Sequence, residues 1–266
     1  MYHSSNLISE NVLNQDLENV LEWTEFWQLP LNLKKCVAIF FGKVPTRPQL
    51  LLNGNVIQYV DRHKHLGLHL TPKLDWSLHV YEVTKKCKYT LYLMRCFKNI
   101  LSTTTLDQIY KSYILPVISY ADVIYACAKE IQTANTPLST VLAYLKPIAR
   151  LQYDAALTVS DAMRLSSRDK ALNILRWLSL EHPFAMHKIL LLFKIFRGLT
   201  PHFLVDRIPT LGATTTMTLR SASNNRINTY RTYKVKFDTT FFPWTIKQWN
   251  ALPTALSATF LFGLSK

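Results

Sequence analysis

The chain has 266 residues, with 31 lysines and arginines against 17 aspartates and glutamates, so its formal charge is +14. Hydrophobic residues make up 48% of it and charged residues only 18%, a balance that excludes an intrinsically disordered chain. The excess of cations favours a polyanionic partner, either nucleic acid or an anionic membrane surface, over a small neutral ligand.

The first third of the chain is predicted to hold one helix followed by short strands. Apolar residues recur at helical spacing over residues 11–27, which predicts an amphipathic helix. Residues 37–41 are predicted to form a strand. Two apolar runs flank Asn53-Gly54, the pair that most readily takes the positive φ angles of a tight turn, so a hairpin is expected there.

Leucines alternate with histidine and glycine over residues 65–70. This alternation predicts that Leu66, Leu68 and Leu70 share one face of a strand. Gly67 would lie on the other face, where the missing side chain lets another backbone approach closely. A simple bulge or an edge position is the alternative explanation for this glycine.

Helices are predicted over almost all of residues 78–205. The predicted helices cover residues 78–98, 104–128, 138–157, 167–175 and 183–198. Thr104 with Asp107 three residues later resembles a capping box, which marks the start of a helix. Pro116 and Pro147 each remove a backbone donor inside a predicted helix, so each predicts a kink or a break.

The helical pattern ends at Pro209. Residues 214–216 and 220–233 are predicted to form an irregular basic segment, and residues 241–252 the last ordered element. The chain has only 6 glycines, which disfavours glycine-rich phosphate loops and turn-dense all-β folds. The predicted fold class is therefore mainly α with a small β portion (α+β).

The sequence also predicts a cellular location. The four cysteines form no CxxC pair, which is typical of reduced thiols rather than of a disulfide framework. The N-terminal residues do not resemble a signal peptide, and no apolar run reaches the roughly 18 residues that a membrane span requires. We expect an intracellular chain, cytoplasmic or nuclear, with no membrane partner.

The helix predicted over residues 78–98 has two distinct sectors when its residues are placed at steps of roughly 100°. The apolar sector holds Val80, Val83, Cys87, Leu91 and Met94. The adjoining sector holds Lys85, Lys88, Tyr92 and Arg95. Cations interleaved with an aromatic ring can follow a phosphate backbone, so this sector is a candidate nucleic-acid-binding surface. An ordinary solvated helix face is the alternative.

Two other patterns resemble catalytic or metal sites and are rejected. His63, His65 and His69 follow an H-x-H-x3-H spacing, but on a strand the last two lie roughly 13 Å apart and cannot converge on one metal. The motif YADV at residues 120–123 resembles the Tyr-x-Asp-Asp signature of polymerases, yet Val123 replaces the second aspartate. Since this motif also lies in a helical pattern, we interpret Asp122 as a helix-surface or capping residue.

No nucleophile motif, Walker loop or GxGxxG fingerprint is present in the sequence. Acidic residues are scarce, whereas phosphoryl transfer by two metal ions requires paired carboxylates that hold the cations about 4 Å apart. The sequence therefore predicts no metal site and no self-contained active site.

Ten separated blocks, in order along the chain, resemble one protein family. They are QDLENVLEW (15–23), WQL (27–29), NLKKC (32–36), KHLGL (64–68), DWSLH (75–79), IYKSYILP (109–116), ISYA (118–121), FKIFRGLTP (193–201), LRS (219–221) and WNALP (249–253). Together they resemble the reverse transcriptases of non-LTR, jockey-type (LINE-like) retrotransposons, from just after the catalytic aspartates onward. His65 replaces the family's usual tyrosine, and the family's Leu-x-x-x-Gln-x-x-Ala-x-Arg block is only partly kept around Gln152 and Ala155.

The resemblance implies roles for individual residues. Lys35 matches the lysine of motif D, which assists proton transfer or pyrophosphate departure. Leu66 and Gly67 match the primer grip, a hairpin that holds the primer's 3′ end. The resemblance also implies three domains: the end of the palm with the primer-grip hairpin (1–74), a helical thumb (75–205) whose basic face follows the template-primer backbone of RNA or DNA, and a basic C-terminal segment (206–266).

The metal-binding aspartates of the family, which bind Mg²⁺ in an intact polymerase, are expected to lie before residue 1. This chain should then hold no cofactor and be inactive alone as an RNA-directed DNA polymerase. Our leading hypothesis is a truncated reverse-transcriptase-derived protein with residual non-specific nucleic-acid binding. The alternatives are a non-functional relic of a decayed retrotransposon and a repurposed helical interaction module.

Overall fold

The computed structural model describes residues 10–42, 47–126, 143–163, 166–209, 227–230 and 240–253. The chain divides into two compact units, Met1–His79 and Val80–Lys266. Its elements are mainly helical with a small β portion, as the sequence predicts. Parts of three predicted segments lie outside the described residues: the helices over 104–128 and 138–157, and the basic segment after Pro209.

The first unit begins with helix α1 (Glu10–Phe26), one residue away from each end of the predicted helix. The side chain of Asn14 pairs with the segment ahead of the first hairpin, since its Nδ2 donates to Gln49 O at 3.0 Å and its Oδ1 accepts from Leu51 N at 2.9 Å. The helix ends where Gln28 takes a φ of 54° and Leu29 N donates to Thr24 O. This pattern is a Schellman motif, which satisfies the carbonyls of the last turn.

The strands that the structure describes in the first unit form three separate pairs. They are β1 (Val37–Ala38) parallel to β4 (Gln58–Tyr59), β2 (Leu51–Leu52) antiparallel to β3 (Asn55–Val56), and β5 (His63–His65) antiparallel to β6 (Leu68–Leu70). The strand predicted over residues 37–41 is thus confirmed only in its first two residues. The predicted turn is confirmed, because Asn53 and Gly54 join β2 to β3 with φ angles of 49° and 71°.

The prediction that Leu66, Leu68 and Leu70 share one strand face is wrong. Leu66 and Gly67 form the two-residue turn between β5 and β6, with φ angles of 45° and 84°, and His65 pairs with Leu68 across the ladder. Leu66 therefore points into solvent whereas Leu68 is buried. The 13 Å estimate for His65 and His69 fails for the same reason, since the two histidines lie on different strands.

Helix α2 (Ser77–Phe97) starts in the last residues of the first unit and continues into the second. The second unit continues with α3 (Thr103–Ile109), a π turn (Tyr110–Ile114), α4 (Leu115–Ser119), α5 (Asp122–Tyr125), α6 (Lys146–Ser160), α7 (Arg168–Ile174), α8 (Glu181–Phe196), α9 (His202–Val205) and α10 (Phe241–Ala251). The helices predicted over 78–98, 167–175 and 183–198 are confirmed to within about two residues at each end. The last ordered element predicted, over 241–252, is helix α10.

The helix predicted over residues 104–128 is interrupted twice. Pro116 has no N–H and its ring crowds the carbonyl four residues earlier, and the chain responds with a π turn in which Leu115 N donates to Tyr110 O. The second interruption follows at Ala121, whose φ is 57°. The predicted disturbance at Pro116 is thus confirmed.

Two predictions of helix starts and breaks are corrected. The cap of α3 is Ser102, whose Oγ accepts from Thr105 N at 3.1 Å, so the capping box at Thr104 and Asp107 is wrong. Pro147 does not break a helix but lies in the first turn of α6. A proline is favoured there, because the first backbone N–H groups of a helix have no intrahelical acceptor.

The predicted apolar sector of α2 is confirmed, since its five members are all buried. A second part of the core lies between α8 and α10, where Leu192, Ile246 and Trp249 surround Ile227. The side chain of Asn250 bonds to the backbone of Ile227 twice: its Oδ1 accepts from Ile227 N at 3.0 Å, and its Nδ2 donates to Ile227 O at 2.8 Å. Among the described helices, none combines the length and apolarity that a membrane crossing needs.

Candidate nucleic-acid interface

The structure brings the four predicted stripe residues together on the solvent side of α2. Lys85, Lys88, Tyr92 and Arg95 are all exposed, while the neighbouring sector of the same helix is buried. Their spacings of three and four residues place them one above another along the helix. We call these four residues the basic stripe.

The charges of the basic stripe are not equally available. Within the described part of the chain, Lys85 and Lys88 form no ion pair. Arg95 lies 3.6 Å from Asp154 of α6, measured from Nη2 to Oδ2. One turn further on, Lys98 donates to Asp161 at 2.8 Å and thereby lowers the pKa of that carboxyl. The uncompensated positive charge is therefore concentrated in the middle of α2.

Two further tyrosines of α2 are exposed near the basic stripe and were not among the predicted binding residues. Tyr81 is 59% exposed and lies four residues before Lys85, on the same side of the helix. Tyr89 is 68% exposed and lies beside the stripe. Extending the 100° placement by one turn towards the N-terminus would have identified Tyr81, since the helix was already predicted to begin at residue 78.

Tyr92 carries no negative charge that would oppose an anionic ligand. A hydrogen bond with the Cys96 side chain, one turn later, raises the pKa of its phenol. Because the ordinary pKa of tyrosine is already about 10, the phenol is neutral at physiological pH, and its ring can contact a ligand without repelling phosphate.

The residues matched to the primer grip lie at the tip of the β5–β6 hairpin. Leu66 is 76% exposed and has a φ of 45°, a conformation that costs a leucine roughly 1–2 kcal/mol. Gly67 follows with a φ of 84°, which glycine takes without strain. Residues held in strained backbone conformations of this kind cluster at sites that contact ligands.

Lys35 belongs to a different element from the hairpin, about 30 residues earlier in the chain. It is the exposed last residue of a 3₁₀ turn (Leu33–Lys35) that joins α1 to β1, and its N–H donates to Asn32 O at 2.9 Å. The predicted site residues thus lie on three elements of the chain: this turn, the hairpin tip and α2.

Of the two interpretations of Asp122, the helix-surface one is wrong, and the cap position of α5 is held by Ala121, with Asp122 as the first residue of the helix. The carboxylate of Asp122 is buried, and Oδ2 lies 2.6 Å from Nδ1 of His187 on α8. Burial raises the pKa of this carboxyl, and the hydrogen bond from His187 acts in the opposite direction. The side chain joins α5 to α8 and is not presented to solvent.

The described residues do not fit the two Mg²⁺ ions of a polymerase. Asp122 is the one acid of its motif and is engaged with His187. Asp107 pairs with Lys111 and with the indole N–H of Trp177. In the ranges that the structure describes, no group of three or more histidine, cysteine, aspartate or glutamate side chains could hold a metal ion.

Comparison with known proteins gives two related matches. The chain is 28% identical over 126 residues to "RNA-directed DNA polymerase from mobile element jockey" of Drosophila melanogaster, covering 46% of this chain and 14% of that protein. It is 25% identical over 122 residues to the protein of the same description in Drosophila funebris, covering 44% and 13%. The matched stretch thus spans about one seventh of either relative. No protein-family model and no solved structure matches the chain. The resemblance to the reverse transcriptases of non-LTR retrotransposons is confirmed, as a partial one.

Proposed function

We propose, from this partial likeness to jockey polymerases, that the chain is a reverse-transcriptase-derived protein that binds nucleic acid through the basic stripe of α2. The observation that carries the proposal is the pair Lys85 and Lys88, both exposed and both without an ion-pair partner among the described residues. Cations of this kind bind phosphates and release the counterions condensed on them, which is the main source of sequence-independent affinity.

The proposed binding is tolerant of sequence. Lysine ammonium groups on one helix face reach phosphates, which carry no sequence information. Arg95, the side chain of the stripe best suited to the edge of a guanine, faces Asp154 instead. The formal charge of +14 adds a long-range attraction that raises the rate of encounter. RNA and DNA are both accepted under this proposal.

The test is a filter-binding titration of the full chain with a duplex of mixed sequence at several salt concentrations between about 50 and 200 mM. Affinity should fall linearly on logarithmic axes. The double variant Lys85→Ala/Lys88→Ala should lower the magnitude of the slope by about 1.8, since each lost phosphate contact contributes about 0.9. Adding Arg95→Ala should change the slope less than either lysine, because Arg95 already faces Asp154.

Lys86→Ala is the matched control. Lys86 is exposed on the same helix but lies about 100° around it from Lys85, outside the stripe. It should leave the slope unchanged. A flat dependence of affinity on salt, or an equal reduction of the slope by Lys86→Ala, would refute the proposal. No binding of duplex or single strand at any salt would favour the relic of a decayed element.

The remaining roles carried over from the family are part of the same proposal. The exposed Lys35 is proposed to act near a reacting phosphate only when the rest of a polymerase is present. The Leu66-Gly67 tip is proposed to contact the 3′ end of a primer, which its strained exposed leucine supports. The division into palm end, thumb and C-terminal segment at residues 74 and 205 also remains a prediction.

We further propose that this chain by itself does not polymerise nucleotides. The buried position of Asp122 supports this, because a carboxylate hydrogen-bonded to His187 inside the fold cannot also clamp two cations. A primer-extension assay of the chain with Mg²⁺ and a primed template should give no product above a protein-free control.

One observation favours a second candidate, a helical interaction module. Trp23, Phe26 and Trp27 are exposed near the end of α1, and the ring centroid of Trp27 lies 6.4 Å from that of Trp23 and 5.4 Å from that of Phe26. Exposed apolar clusters of this kind mark protein-binding surfaces. Replacement of Trp23 and Trp27 by serine should leave nucleic-acid affinity unchanged if the two functions are separate.

A further inference from the structure

Tyr81 and Tyr92 bracket the two free lysines of the basic stripe. The two tyrosines are eleven positions apart, which is about three turns of helix and about 16 Å along its axis. Lys85 and Lys88 lie between them on the same side of α2. The helix therefore presents, in order, an aromatic ring, two cations and a second aromatic ring.

Both rings are available to a ligand. Tyr81 is 59% exposed and Tyr92 61% exposed. Neither ring stacks on another aromatic side chain in the part of the chain that the structure describes. By contrast, Tyr110 of the same unit is buried and stacked on Trp177 at 3.8 Å between centroids, as an aromatic residue with a packing role is.

This order of groups fits a single strand, in which phosphates lie between one base and another further along the chain. Bases stack on exposed aromatic rings irrespective of their identity, and the phosphates between them pair with cations. In a duplex the faces of the bases are covered by their neighbours, so the same rings would find nothing to stack on. The charges of the stripe are complementary to a polyanion and not to a basic or neutral partner.

We propose that the face formed by Tyr81, Lys85, Lys88 and Tyr92 binds single-stranded nucleic acid, with one unpaired base on each tyrosine and the intervening phosphates on the two lysines. This inference rests on the proposed function and narrows its ligand to unpaired strands. Ring stacking and phosphate pairing do not depend on the sugar, so single-stranded RNA and DNA should bind alike.

The experiment compares four labelled probes by fluorescence anisotropy with the full chain: oligo(dT), oligo(U), an abasic strand of equal length and a closed hairpin duplex. The abasic strand keeps every phosphate and lacks every base. The wild-type chain should bind oligo(dT) and oligo(U) at least tenfold more tightly than the abasic strand and the duplex at the same salt concentration. This comparison needs no variant and so does not depend on the folding of one.

Variants assign the effect to the rings. Tyr81→Leu/Tyr92→Leu should abolish the tenfold preference for base-bearing strands and leave the salt slope intact. Tyr81→Phe/Tyr92→Phe, which keeps the rings, should retain the preference. Tyr113→Leu is the control, since Tyr113 is an equally exposed tyrosine on the π turn and should have no effect.

The outcomes separate this inference from the proposed function. Equal affinity for oligo(dT) and the abasic strand, with a steep salt dependence for both, would overturn the single-strand proposal and leave phosphate binding by the stripe in place. A preference for the duplex would overturn it as well. Binding of all probes without salt dependence would overturn the proposed function itself.

Discussion

His79 is the residue whose protonation is most constrained by the fold of the first unit. Its side chain is buried, its ring centroid lies 6.2 Å from that of His69 and 6.5 Å from that of Trp76, and its pKa is lowered to about 4. Burial is the larger cause, since it disfavours the charged form, and a positive charge on His69 adds to it.

The lowered pKa predicts a loss of stability in mild acid. The unfolded chain binds a proton at a pKa near 6.5 and the folded chain only at about 4, so the unfolded state holds more protons between these values. The contribution of neutral His79 to the free energy of unfolding is complete above pH 6.5 and is lost as the pH falls through about 4. It amounts to about 3.5 kcal/mol at most, because pKa values of 6.5 and about 4 differ by about 2.5 and each pKa unit corresponds to about 1.4 kcal/mol.

The measurement is urea denaturation at a series of pH values, for the wild-type chain and for His79→Leu. The variant should show a flatter dependence of the free energy of unfolding on pH over this window. His65→Gln, at the exposed end of β5, is the control and should keep the wild-type dependence. An unchanged profile in His79→Leu would contradict the prediction.

At the scale of single elements, helix ends depend on side chains that a sequence pattern places only approximately. Ser102 caps α3 and Ser167 caps α7, each by accepting a backbone N–H three residues later. The Thr104–Asp107 pair has the spacing of a capping box but lies inside α3. Asp107 instead faces Lys111 at 2.7 Å and Trp177 at 2.8 Å.

The cap of α3 can be located by two substitutions. Ser102→Ala should lower the free energy of unfolding by about 1 kcal/mol, because Thr105 N–H loses its acceptor. Thr104→Ala should change it by no more than about 0.5 kcal/mol, since Thr104 is exposed and within the helix. Thermal unfolding followed by circular dichroism measures both, and a larger effect of Thr104→Ala would restore the capping box.

At the scale of the whole molecule, the second unit contains a fully buried lysine that links several of its elements. Lys188 of α8 is 1% exposed, donates to Ala126 O at 2.6 Å and lies 4.5 Å from the centroid of the Trp244 ring on α10. The neighbouring His187 reaches Asp122 at the start of α5. Adjacent residues of α8 thus contact both ends of α5, and Lys188 also lies against Trp244 of α10.

Substitutions of Lys188 separate its packing from its hydrogen bond. Lys188→Met keeps most of the volume but leaves Ala126 O without this donor, so we expect a loss of about 1–3 kcal/mol. Lys188→Ala also opens a cavity and should cost about 3 kcal/mol or more. The exposed Lys194→Ala on the same helix is the control, with a change below about 0.5 kcal/mol in chemical denaturation. Equal losses in both Lys188 variants would contradict a separate contribution from packing.

The extent of sequence-based prediction differs between parts of the chain. The Asn53-Gly54 turn was predictable because its positive φ angles are a property of those two residues. The turn at Leu66-Gly67 was not, because leucine disfavours a positive φ and the pairing of β5 with β6 imposes it. The basic stripe was predictable from helical spacing. Tyr81 was predictable from the same spacing, applied one helix turn closer to the N-terminus.

The sequence by itself determined the mainly helical class, the two faces of α2 and the likeness to jockey polymerases, because periodicity, turn chemistry and motif order are contained in short stretches of chain. Tertiary structure decided which charges remain available. Arg95 meets Asp154 and His187 meets Asp122, pairs about 60 residues apart that no local pattern connects. Of the basic residues behind the +14 charge, the candidate interface presents two lysines without ion-pair partners among the described residues, and they lie between two exposed tyrosines.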